Sequence, residues 1–432
     1  MAQRSIRECD GKRLLLDHWE THFPGFKHDI KMVLLPSSQS LKTLSNRIEW
    51  LRSQPLVVKP DMLFGKRGLH DLVYLKSQQP GDITLDLADK WVKSHSKKPI
   101  TLNSGETGKL THFIVEPFVS HTKDEEFYLC ASSEDDSDVL YFSISGGIDI
   151  EKSWDKVIQI EIPLHLEFDE LAAHIGSKIP AGIAAIGRIA EFAARFYMFF
   201  KLFHFSYLEL NPFVFRNNQL FFLDLVARVD DTAGFLMSDK WGNLEFPTPF
   251  GLKPASKEEK MIKTVDENSS ASLKLTVLNP DARIWTLVAG GGASVVYADT
   301  IADLTGVDEL ANYGEYSGNP TTDETYTYAS TIIDLMTRKK DAKERDKILI
   351  IGGAIANFTD VAKTFEGIIK AFKKYNEEMK AVGVRIYVRR GGPNYRIGLD
   401  NIEKSAKEMG LWIDVHGPET HLTEIVHLAL KN

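Results

Sequence analysis

The second half of the chain repeats one local pattern four times: a short apolar stretch, a turn that contains glycine, and a segment with helical spacing. The apolar stretches cover residues 283–288, 347–351, 384–388 and 411–415. Strands and helices that alternate in this way are typical of a parallel sheet covered by helices. The pattern therefore predicts an α/β domain over residues 273–432.

The glycine turns of this domain fall at the carboxyl ends of the predicted strands, where ligands bind in such sheets. Backbone N–H groups at helix N-termini and an arginine guanidinium are suitable donors for a carboxylate. The residues that offer such donors are Ser317, Gly318, Asn357, Thr359 and Arg390. On the residues alone, helix capping also explains Asn357 and Thr359, and a surface ion pair also explains Arg390.

The first half of the chain mixes short predicted strands with helices, which indicates an α+β domain over residues 1–245. Its clearest helix covers about residues 181–203, where apolar side chains fill most positions and indicate burial on more than one face. Residues 252–272 turn abruptly to Lys, Glu, Ser and Asp, and this change predicts a linker. We therefore expect a connecting segment at 246–272 between the two domains.

Charge and cysteine content narrow the class of protein. The 432 residues include 52 Lys and Arg against 60 Asp and Glu, a formal net charge of −8, which argues against binding along nucleic acid or an anionic membrane. Two cysteines are too few for a disulfide scaffold. The most apolar stretch, 192–205, is short and contains Arg195 and Lys201, so no membrane span is predicted. We expect a cytoplasmic protein with neither nucleic acid nor membrane as a partner.

Basic residues beside a glycine turn point to a phosphate ligand in the first half. Lys59 ends a predicted strand, and Arg67 and Gly68 follow on a turn. Cations and exposed backbone N–H groups at such a turn suit a polyphosphate, although a solvated basic turn is the simpler alternative. Glu116 ends a further strand and Glu126 follows soon after, as expected of residues that hold an adenine and a ribose. Surface charge is the alternative for Glu126.

Two predicted strands, 205–215 and 220–226, carry polar side chains within apolar sequence. Asn211 and Asp224 are oxygen donors that can face each other across this hairpin and hold Mg²⁺ between phosphates. Glu209 lies in the same apolar setting, where an unpaired carboxylate is costly. A structural salt bridge is the alternative for Glu209.

The longer motifs carry a family resemblance. The first half contains, in order, Lys-Pro-Asp, Gly-Lys-Arg-Gly, Glu-Pro-Phe-Val, Glu-Glu-Phe-Tyr and Leu-Glu-Leu-Asn-Pro, which resembles an ATP-grasp domain of the acyl-CoA synthetase type. The second half resembles ATP-citrate lyase in the motifs AGGGASVVYADT, NYGEYSGNP, IIGGAIANFTDVAKTF and YVRRGGPNY. The resemblance covers essentially the whole chain and is to the smaller subunit, which is similar to the β subunit of succinyl-CoA synthetase. It implies an ATP-grasp (α+β) domain followed by a flavodoxin-like parallel α/β citrate-binding domain.

The resemblance also implies three sets of site residues. For ATP it implies Lys59, Arg67, Gly68, Glu116, Phe118 and Glu126, and for Mg²⁺ it implies Asn211 and Asp224. For citrate it implies Ser317, Gly318, Asn357, Thr359 and Arg390, with Tyr375 nearby. The chain has Leu69 where relatives often have a second lysine and Arg228 where a lysine is common, and neither departure removes a proposed contact.

The implied activity is the MgATP-dependent conversion of citrate and CoA to acetyl-CoA and oxaloacetate, for lipid synthesis or for a reductive citric acid cycle. The family's Gly-His-Ala-Gly-Ala-type phosphohistidine loop is absent, and His416 is the best internal substitute. We therefore expect a larger partner subunit that carries the phosphohistidine, most of the CoA site and the citryl-CoA lyase module. Two alternatives stay open: the β subunit of a succinyl-CoA or other acid-CoA ligase, and a nucleotide or citrate sensor without turnover.

Overall fold

The computed structural model describes residues 3–76, 81–147, 150–163, 166–180 and 185–431. The chain divides into two units, Met1–Lys253 and Pro254–Asn432. No helix in the described part of the chain is both long and apolar enough to cross a membrane.

The first unit combines strands and helices, as predicted. Its strands are β1 (Gln3–Ile6), β2 (Lys27–His28), β3 (Val33–Pro36), β4 (Leu56–Pro60), β5 (Ile100–Thr101), β6 (Thr107–Gly108), β7 (His112–Pro117), β8 (Glu126–Ser133), β9 (Asp138–Ser143), β10 (Ile158–Ile162), β11 (Phe205–Arg216), β12 (Gln219–Phe222) and β13 (Leu225–Asp230). Its helices are α1 (Glu8–Asp17), α2 (Trp19–His22), α3 (Leu41–Leu44), α4 (Trp50–Ser53), α5 (Leu85–His95), α6 (Phe168–Lys178), α7 (Ile186–Leu202) and α8 (Gly234–Trp241).

Two antiparallel sheets organise this unit. The larger has the order β1-β13-β11-β8-β9-β10, and β12 pairs antiparallel with β11 and parallel with the short strand β2. The smaller has the order β3-β7-β4. Helix α7 packs its aromatic side chains, among them Phe192, Phe196 and Phe200, into the core of the larger sheet. The predicted helix at 181–203 is therefore confirmed over α7, while residues 181–184 lie outside the described residues.

The predicted strand at 220–226 is broken into β12 and β13 at Leu223 and Asp224. The Leu223 carbonyl oxygen accepts a hydrogen bond of 2.7 Å from Lys59 Nζ, and the Asp224 carboxylate accepts one from Arg67. Both groups are thus turned towards buried cations instead of a neighbouring strand. Satisfying these cations outweighs the strand propensity of the apolar sequence.

The second unit alternates strands and helices. Its strands are β14 (Ser272–Val277), β15 (Ile284–Ala289), β16 (Asn312–Ser317), β17 (Lys347–Gly353), β18 (Val384–Arg389) and β19 (Trp412–His416). Its helices are α9 (Lys257–Glu267), α10 (Gly291–Thr305), α11 (Thr322–Thr337), α12 (Val361–Lys374), α13 (Asn376–Ala381), α14 (Tyr395–Glu408) and α15 (Glu424–Lys431).

The central sheet of this unit is parallel, with the order β15-β17-β18-β19. Strand β16 flanks β15: the Ala311 amide donates to the Ile284 carbonyl at 2.8 Å, and the Asn312 side chain exchanges two hydrogen bonds with the backbone of Thr286. Reading across β16-β15-β17-β18-β19 gives the chain order 2-1-3-4-5, which is the flavodoxin-like arrangement. The predicted fold of this half is confirmed.

The segment expected to be a linker contains α9. Ser256 and Glu259 form a capping box at its start, and Ile262 is buried in the core of the second unit. A capping box satisfies two backbone N–H groups that a helix otherwise leaves without partners, so a polar sequence can still form a stable helix here. The division between the units accordingly falls at Lys253 and Pro254, before this helix and not at 246–272 as a whole.

The pairing of β14 with β16 generates a prediction about Gly314. A Cβ atom on Gly314 would overlap the carbonyl oxygen of Lys274 and lie 2.8 Å from Tyr328 Oη. We expect Gly314→Ala to force the two strands apart and lower the free energy of unfolding by about 1–3 kcal/mol. The measurement is the midpoint of urea unfolding followed by circular dichroism.

Gly292→Ala is the matched control in the same unit. A Cβ atom on Gly292 meets nothing within 4 Å, and the residue lies in α10. Alanine is the better helix former by about 1 kcal/mol, so this change should leave the midpoint unchanged or raise it. Equal midpoints for the two variants would contradict the prediction.

Candidate functional site

A cavity of about 610 Å³ lies in the first unit. Its wall is built from the turn after β4, the end of β7, and the facing strands β11 and β13. Binding sites for small molecules and cofactors generally have volumes of about 300–1,000 Å³. The cavity is thus large enough for a nucleotide.

Seven of the eight residues predicted for ATP and Mg²⁺ line this cavity. They are Lys59, Arg67, Gly68, Glu116, Phe118, Asn211 and Asp224. Glu126 does not line the cavity, but His121 does. The Glu126 Oε1 lies 3.1 Å from Nε2 of His121. The hydrogen bond to Glu126 raises the pKa of His121 above its ordinary value. The solvated-turn alternative is wrong for Arg67, because its side chain is buried.

Alternate residues of β11 and β13 form one flat side of the cavity. Tyr207, Glu209 and Asn211 face it from β11, and Val226 and Arg228 face it from β13. Side chains two apart on a strand point to the same face, so a single pair of strands places the whole row. At one end of the row the backbone N–H of Asn211 donates to the backbone carbonyl of Asp224 at 3.2 Å, which brings the two predicted metal ligands together.

Among the described residues, Glu209 is held by hydroxyl groups and not by a salt bridge. The hydroxyl groups of Tyr128 and Tyr207 both donate to its Oε2, at 3.1 Å from Tyr128. Burial raises the pKa of Glu209 above its ordinary value. The carboxyl group is therefore stabilised by neutral donors, and the salt-bridge alternative is wrong for this residue.

Beneath the cavity lies a cluster of six ionised side chains, which we name the buried ion cluster. Its members are Glu8, Lys12, Lys59, Arg67, Glu116 and Asp224. Three are cations and three are anions, so the formal charge of the cluster is zero. Each member has at least one oppositely charged neighbour within the cluster.

Glu8 is the hub of the cluster. Its Oε1 lies 2.7 Å from Lys12 Nζ and 2.6 Å from Lys59 Nζ, and its Oε2 lies 2.6 Å from Arg67 Nη2. Glu116 joins the same two lysines at 2.5 Å from Lys12 and 3.0 Å from Lys59. One carboxylate therefore fixes two of the cations that line the cavity, Lys59 and Arg67.

The charges of the cluster move its pKa values in opposite directions. Burial opposes ionisation of Glu8, but Lys12, Lys59 and Arg67 together hold its pKa well below the ordinary value. Burial likewise opposes the charge on Lys59, and the carboxylates of Glu116 and Glu8 raise its pKa above the ordinary value. Burial raises the pKa of Asp224 against the attraction of Arg67. Lys59 is thus a permanent cation at the cavity wall.

Asp61 ties the cluster to the backbone. Its two carboxylate oxygens accept hydrogen bonds from the amides of Glu8 and Cys9, at 2.9 and 3.1 Å, at the start of α1. Burial raises the pKa of Asp61 to about 7. Sequence reasoning missed Asp61, Glu8 and Lys12. The available signals were the i,i+4 spacing of Glu8 and Lys12 and the aspartate of the Lys-Pro-Asp motif.

In the second unit, Arg390 is buried at the carboxyl edge of the sheet and forms no ion pair with a carboxylate of the described residues. Its Nη1 donates to the carbonyl oxygen of Ala354, and burial lowers its pKa. Its neighbour Arg389 donates to three backbone carbonyls, those of Gly353, Pro418 and Thr420, at 2.9–3.2 Å. The surface ion-pair alternative is therefore wrong for both arginines.

Asn357 and Thr359 do not cap the helix that follows them. Helix α12 begins at Val361, and its N-cap is Asp360, whose side chain accepts from the Lys363 amide at 3.2 Å. Asn357 is exposed and Thr359 is buried in the segment between β17 and α12. The capping alternative is therefore wrong, and both side chains are available to a ligand.

The remaining predicted carboxylate-site residues fall into two groups. Ser317 ends β16, and Gly318 follows it with φ +75°, so both lie at the carboxyl edge of the sheet. Tyr375 directly follows the last residue of α12, about 20 Å along the helix from its first turn. The structure thus brings five of the six residues to one edge and does not bring Tyr375 there.

The remaining candidates from the sequence are His416 and the two predicted metal ligands. His416 Nε2 lies 3.1 Å from Asp414 Oδ1 but forms no hydrogen bond with it. Among the described residues, no group of three or more His, Cys, Asp or Glu side chains is arranged to hold a metal ion. Asn211 and Asp224 nevertheless suit Mg²⁺, since this ion takes few protein ligands and fills its other positions with water and phosphate oxygens.

Comparison with known proteins identifies the family of both halves of the chain. Residues 2–241 match the family model of the ATP-citrate synthase ATP-grasp domain, and residues 253–432 match that of the ATP citrate lyase citrate-binding domain. The chain belongs to the ATP-citrate lyase family. The resemblance drawn from the sequence is thereby confirmed, and so is the interpretation of the chain as a subunit of this enzyme.

Individual members of the ATP-citrate lyase family agree over the whole chain. The ATP-citrate synthase alpha chain protein 2 of Arabidopsis thaliana is 46% identical over 100% of this chain and 99% of its own. Human ATP-citrate synthase is 43% identical over 100% of this chain but only 38% of its own. The solved structure of ATP citrate lyase from Methanothrix soehngenii, in complex with citrate and coenzyme A, matches with a TM-score of 0.89, 44% identity and full coverage of both chains.

The buried ion cluster generates a prediction about Glu8. Glu8→Gln removes one negative charge and leaves Lys59 and Arg67 with too few anions, so we expect the free energy of unfolding to fall by about 3–5 kcal/mol at pH 7. The folded-state pKa of Glu8 is depressed, so its contribution is present above the unfolded pKa of about 4.3 and is lost as the pH falls. The measurement is urea unfolding of both proteins from pH 7 down to about pH 2.

Glu245→Gln is the control with the same chemical change. Glu245 pairs with Arg7 at 2.7 Å, but its side chain is 71% exposed. An exposed ion pair contributes about 0–1 kcal/mol, so this variant should unfold almost as the wild type does. A similar small effect for Glu8→Gln would mean that the cluster does not depend on its hub.

Proposed function

We propose that this chain is the subunit of an ATP-citrate lyase that binds MgATP in its first unit and citrate in its second. The observation that supports the proposal best is the convergence of seven of the eight residues predicted for ATP and Mg²⁺ on one cavity of nucleotide size. Fixed cations and oxygen donors at one end of this cavity are the machinery that phosphoryl transfer requires. A larger partner subunit completes the enzyme.

In the nucleotide site, Lys59 and Arg67 neutralise charge on the phosphates. Both are held in place by Glu8, so they need no reorganisation when charge develops during transfer. Gly68 lets the phosphates approach the backbone of the turn. Glu116 and Phe118, at the end of β7, contact the base. Glu126 holds the ribose hydroxyl groups, and its contact with His121 orients its carboxylate.

Asn211 and Asp224 would hold Mg²⁺ between the phosphates. The ion supplies charge neutralisation to the transferring phosphoryl group when it is bound. In the structure, Asn211 Oδ1 accepts from the Gly147 amide at 2.7 Å, and Asp224 accepts from Arg67. Each of these side chains therefore keeps its orientation through a second partner within the protein.

In the second unit, Arg390 is the main carboxylate ligand for citrate. A buried guanidinium without a counter-ion is costly, and a substrate with three carboxylates supplies the missing charge. Ser317, Gly318, Asn357 and Thr359 lie at the same edge of the sheet and would add neutral donors. Tyr375 has no part in this proposal because of its place at the far end of α12.

The phosphoryl group passes from ATP to a histidine of the partner subunit and from there to a carboxylate of citrate. CoA then displaces phosphate from the citryl-phosphate, and the citryl-CoA formed is cleaved to acetyl-CoA and oxaloacetate on the partner. The length of the relatives supports this division, because the chain spans only 38% of human ATP-citrate synthase. The two free cysteines, Cys9 and Cys130, support a reducing, cytoplasmic location.

Reconstitution with the partner subunit tests the function. The isolated chain should bind MgATP and citrate without cleaving citrate, and cleavage should appear when the partner is added. Asp224→Asn keeps the shape of the side chain but removes the charge that attracts Mg²⁺, so it should slow phosphorylation of the partner on the order of a hundredfold. The measurement is transfer of labelled phosphate to the partner at limiting Mg²⁺.

Asp231→Asn serves as the control, because Asp231 pairs weakly with Arg4 at 3.8 Å and lies outside the cavity wall. It should transfer phosphate at the wild-type rate. An unchanged rate in Asp224→Asn would make Asp224 a purely structural carboxylate, and citrate cleavage by the rigorously purified single chain would refute the divided enzyme.

Arg390→Lys tests the second site. Lysine keeps the charge but loses the planar fork that grips a carboxylate through two parallel hydrogen bonds. The loss of one such bond weakens citrate binding by about ten- to a hundredfold, while MgATP binding should not change. Calorimetric titration of each ligand into both proteins measures the two affinities.

Arg385→Lys is the matched control on the same strand. Arg385 lies near the start of β18, at the opposite edge of the sheet, with its guanidinium 4.5 Å from the centre of the Trp412 ring. Its citrate affinity should equal that of the wild type. If both variants bind citrate equally well, Arg390 is not in the citrate site.

A further inference from the structure

Tyr316 is a buried tyrosine at the edge of the sheet where the citrate residues meet. It is the fifth residue of β16, directly before Ser317 and Gly318, and it is 1% exposed. Its hydroxyl group has no hydrogen-bond partner among the described residues. A buried hydroxyl without a partner costs free energy, so its retention calls for an explanation.

The nearest tyrosine shows that the fold can satisfy such a group. The ring of Tyr328 lies 5.9 Å from that of Tyr316, and its hydroxyl group donates to the Lys274 carbonyl at 2.7 Å. The same packing environment therefore supplies an acceptor for Tyr328 and none for Tyr316. The hydroxyl group that is left unsatisfied in this pair is the one on the residue directly before the predicted citrate contacts.

Arg390 is buried at the same carboxyl edge of the sheet, directly after β18. The guanidinium of Arg390 has one backbone acceptor, Ala354, and no carboxylate partner among the described residues. It fits closely against the end of β17, because a Cβ atom on Gly353 would lie 2.6 Å from its Nη1. Two buried donors of different kinds, a phenol and a guanidinium, thus lack an anion among the described residues at one edge of the sheet.

A carboxylate satisfies both donors at once. It has two oxygens and about four acceptor positions, so it can accept from a guanidinium and from a hydroxyl group together. A hydroxyl donor adds no charge, which matters where a second cation would repel Arg390 in a buried setting. The arrangement suits the carboxylate of a small polyanion.

We propose that the Tyr316 hydroxyl group is a direct ligand of citrate and donates to the same carboxylate that Arg390 binds. The inference rests on the proposed citrate site and adds to it a residue that neither the sequence motifs nor the comparisons assign. Without a ligand the hydroxyl group has no hydrogen-bond acceptor among the described residues, and the bound carboxylate supplies one. Tyr316 thus lowers the stability of the citrate-free protein and raises its affinity for citrate.

Tyr316→Phe separates this role from ordinary packing. Removal of an unsatisfied buried hydroxyl group should leave the melting temperature of the citrate-free chain unchanged or raise it. Citrate affinity should fall by about ten- to a hundredfold, the worth of one hydrogen bond to a charged group. The measurements are calorimetric titration of citrate into the full chain and thermal unfolding with and without citrate.

Two other tyrosines give matched controls. The Tyr387 hydroxyl group is also buried without a partner, but its ring packs 5.0 Å from that of Trp412, so Tyr387→Phe should leave citrate affinity unchanged. Tyr328→Phe removes a satisfied hydroxyl group, so it should lower the melting temperature and leave citrate affinity unchanged. Only Tyr316→Phe should weaken citrate binding.

A change of less than twofold in citrate affinity for Tyr316→Phe overturns the proposal. If that variant fails to fold, a structure of the wild-type chain with citrate decides: the Tyr316 oxygen must lie about 2.5–3.0 Å from a carboxylate oxygen. Failure of the proposed function looks different, since the wild type would then bind no citrate or Arg390→Lys would leave its affinity unchanged. Citrate binding that depends on Arg390 but not on Tyr316 refutes this inference alone.

Discussion

The first unit depends on the pairing of Glu8 with three cations. This single carboxylate contacts Lys12, Lys59 and Arg67, and the remaining positive charge is met by Glu116 and Asp224. Because an unpaired charge in a protein interior is far more costly than a paired one, the members of the cluster must be placed together or not at all. The cluster also involves the backbone. The Leu223 carbonyl oxygen accepts from Lys59 where the strand is interrupted, and the Glu8 backbone N–H at the start of α1 donates to Asp61.

The same cluster explains how the nucleotide site can be ready before a ligand arrives. Lys59 and Arg67 are held by carboxylates behind the cavity wall, so their charge is fixed in position while their exposed edge faces the cavity. Electrostatic stabilisation of phosphoryl transfer is strongest when the charges do not have to reorganise during the reaction. Because the cluster carries no net charge, it does not by itself neutralise the charge of a bound polyphosphate.

The second unit follows the opposite strategy. Arg390 is buried without a carboxylate partner in the described part of the chain, and Tyr316 at the same edge of the sheet keeps an unsatisfied hydroxyl group. Both lie at the carboxyl edge of the flavodoxin-like sheet, where the strand order reverses between β15 and β17 and a crevice can form. In the nucleotide site the protein supplies its own counter-ions, whereas in the carboxylate site the substrate would supply them. This difference suits one ligand that arrives with a metal ion and another that arrives as a free anion.

The sequence by itself determined the alternation of strands and helices, because hydrophobic periodicity and glycine turns are local properties, and its long motifs identified the family. It also nominated Lys59, Arg67, Asn211 and Asp224, whose residue types already state their chemistry. Only the tertiary structure decided which partners they have: Glu8 and Lys12 lie 51 and 47 positions from Lys59 in the chain, and nothing local pairs them with it. It likewise placed Tyr375 at the end of α12 and Tyr316 at the carboxyl edge of the sheet, since position in a fold depends on packing and not on spacing in the sequence.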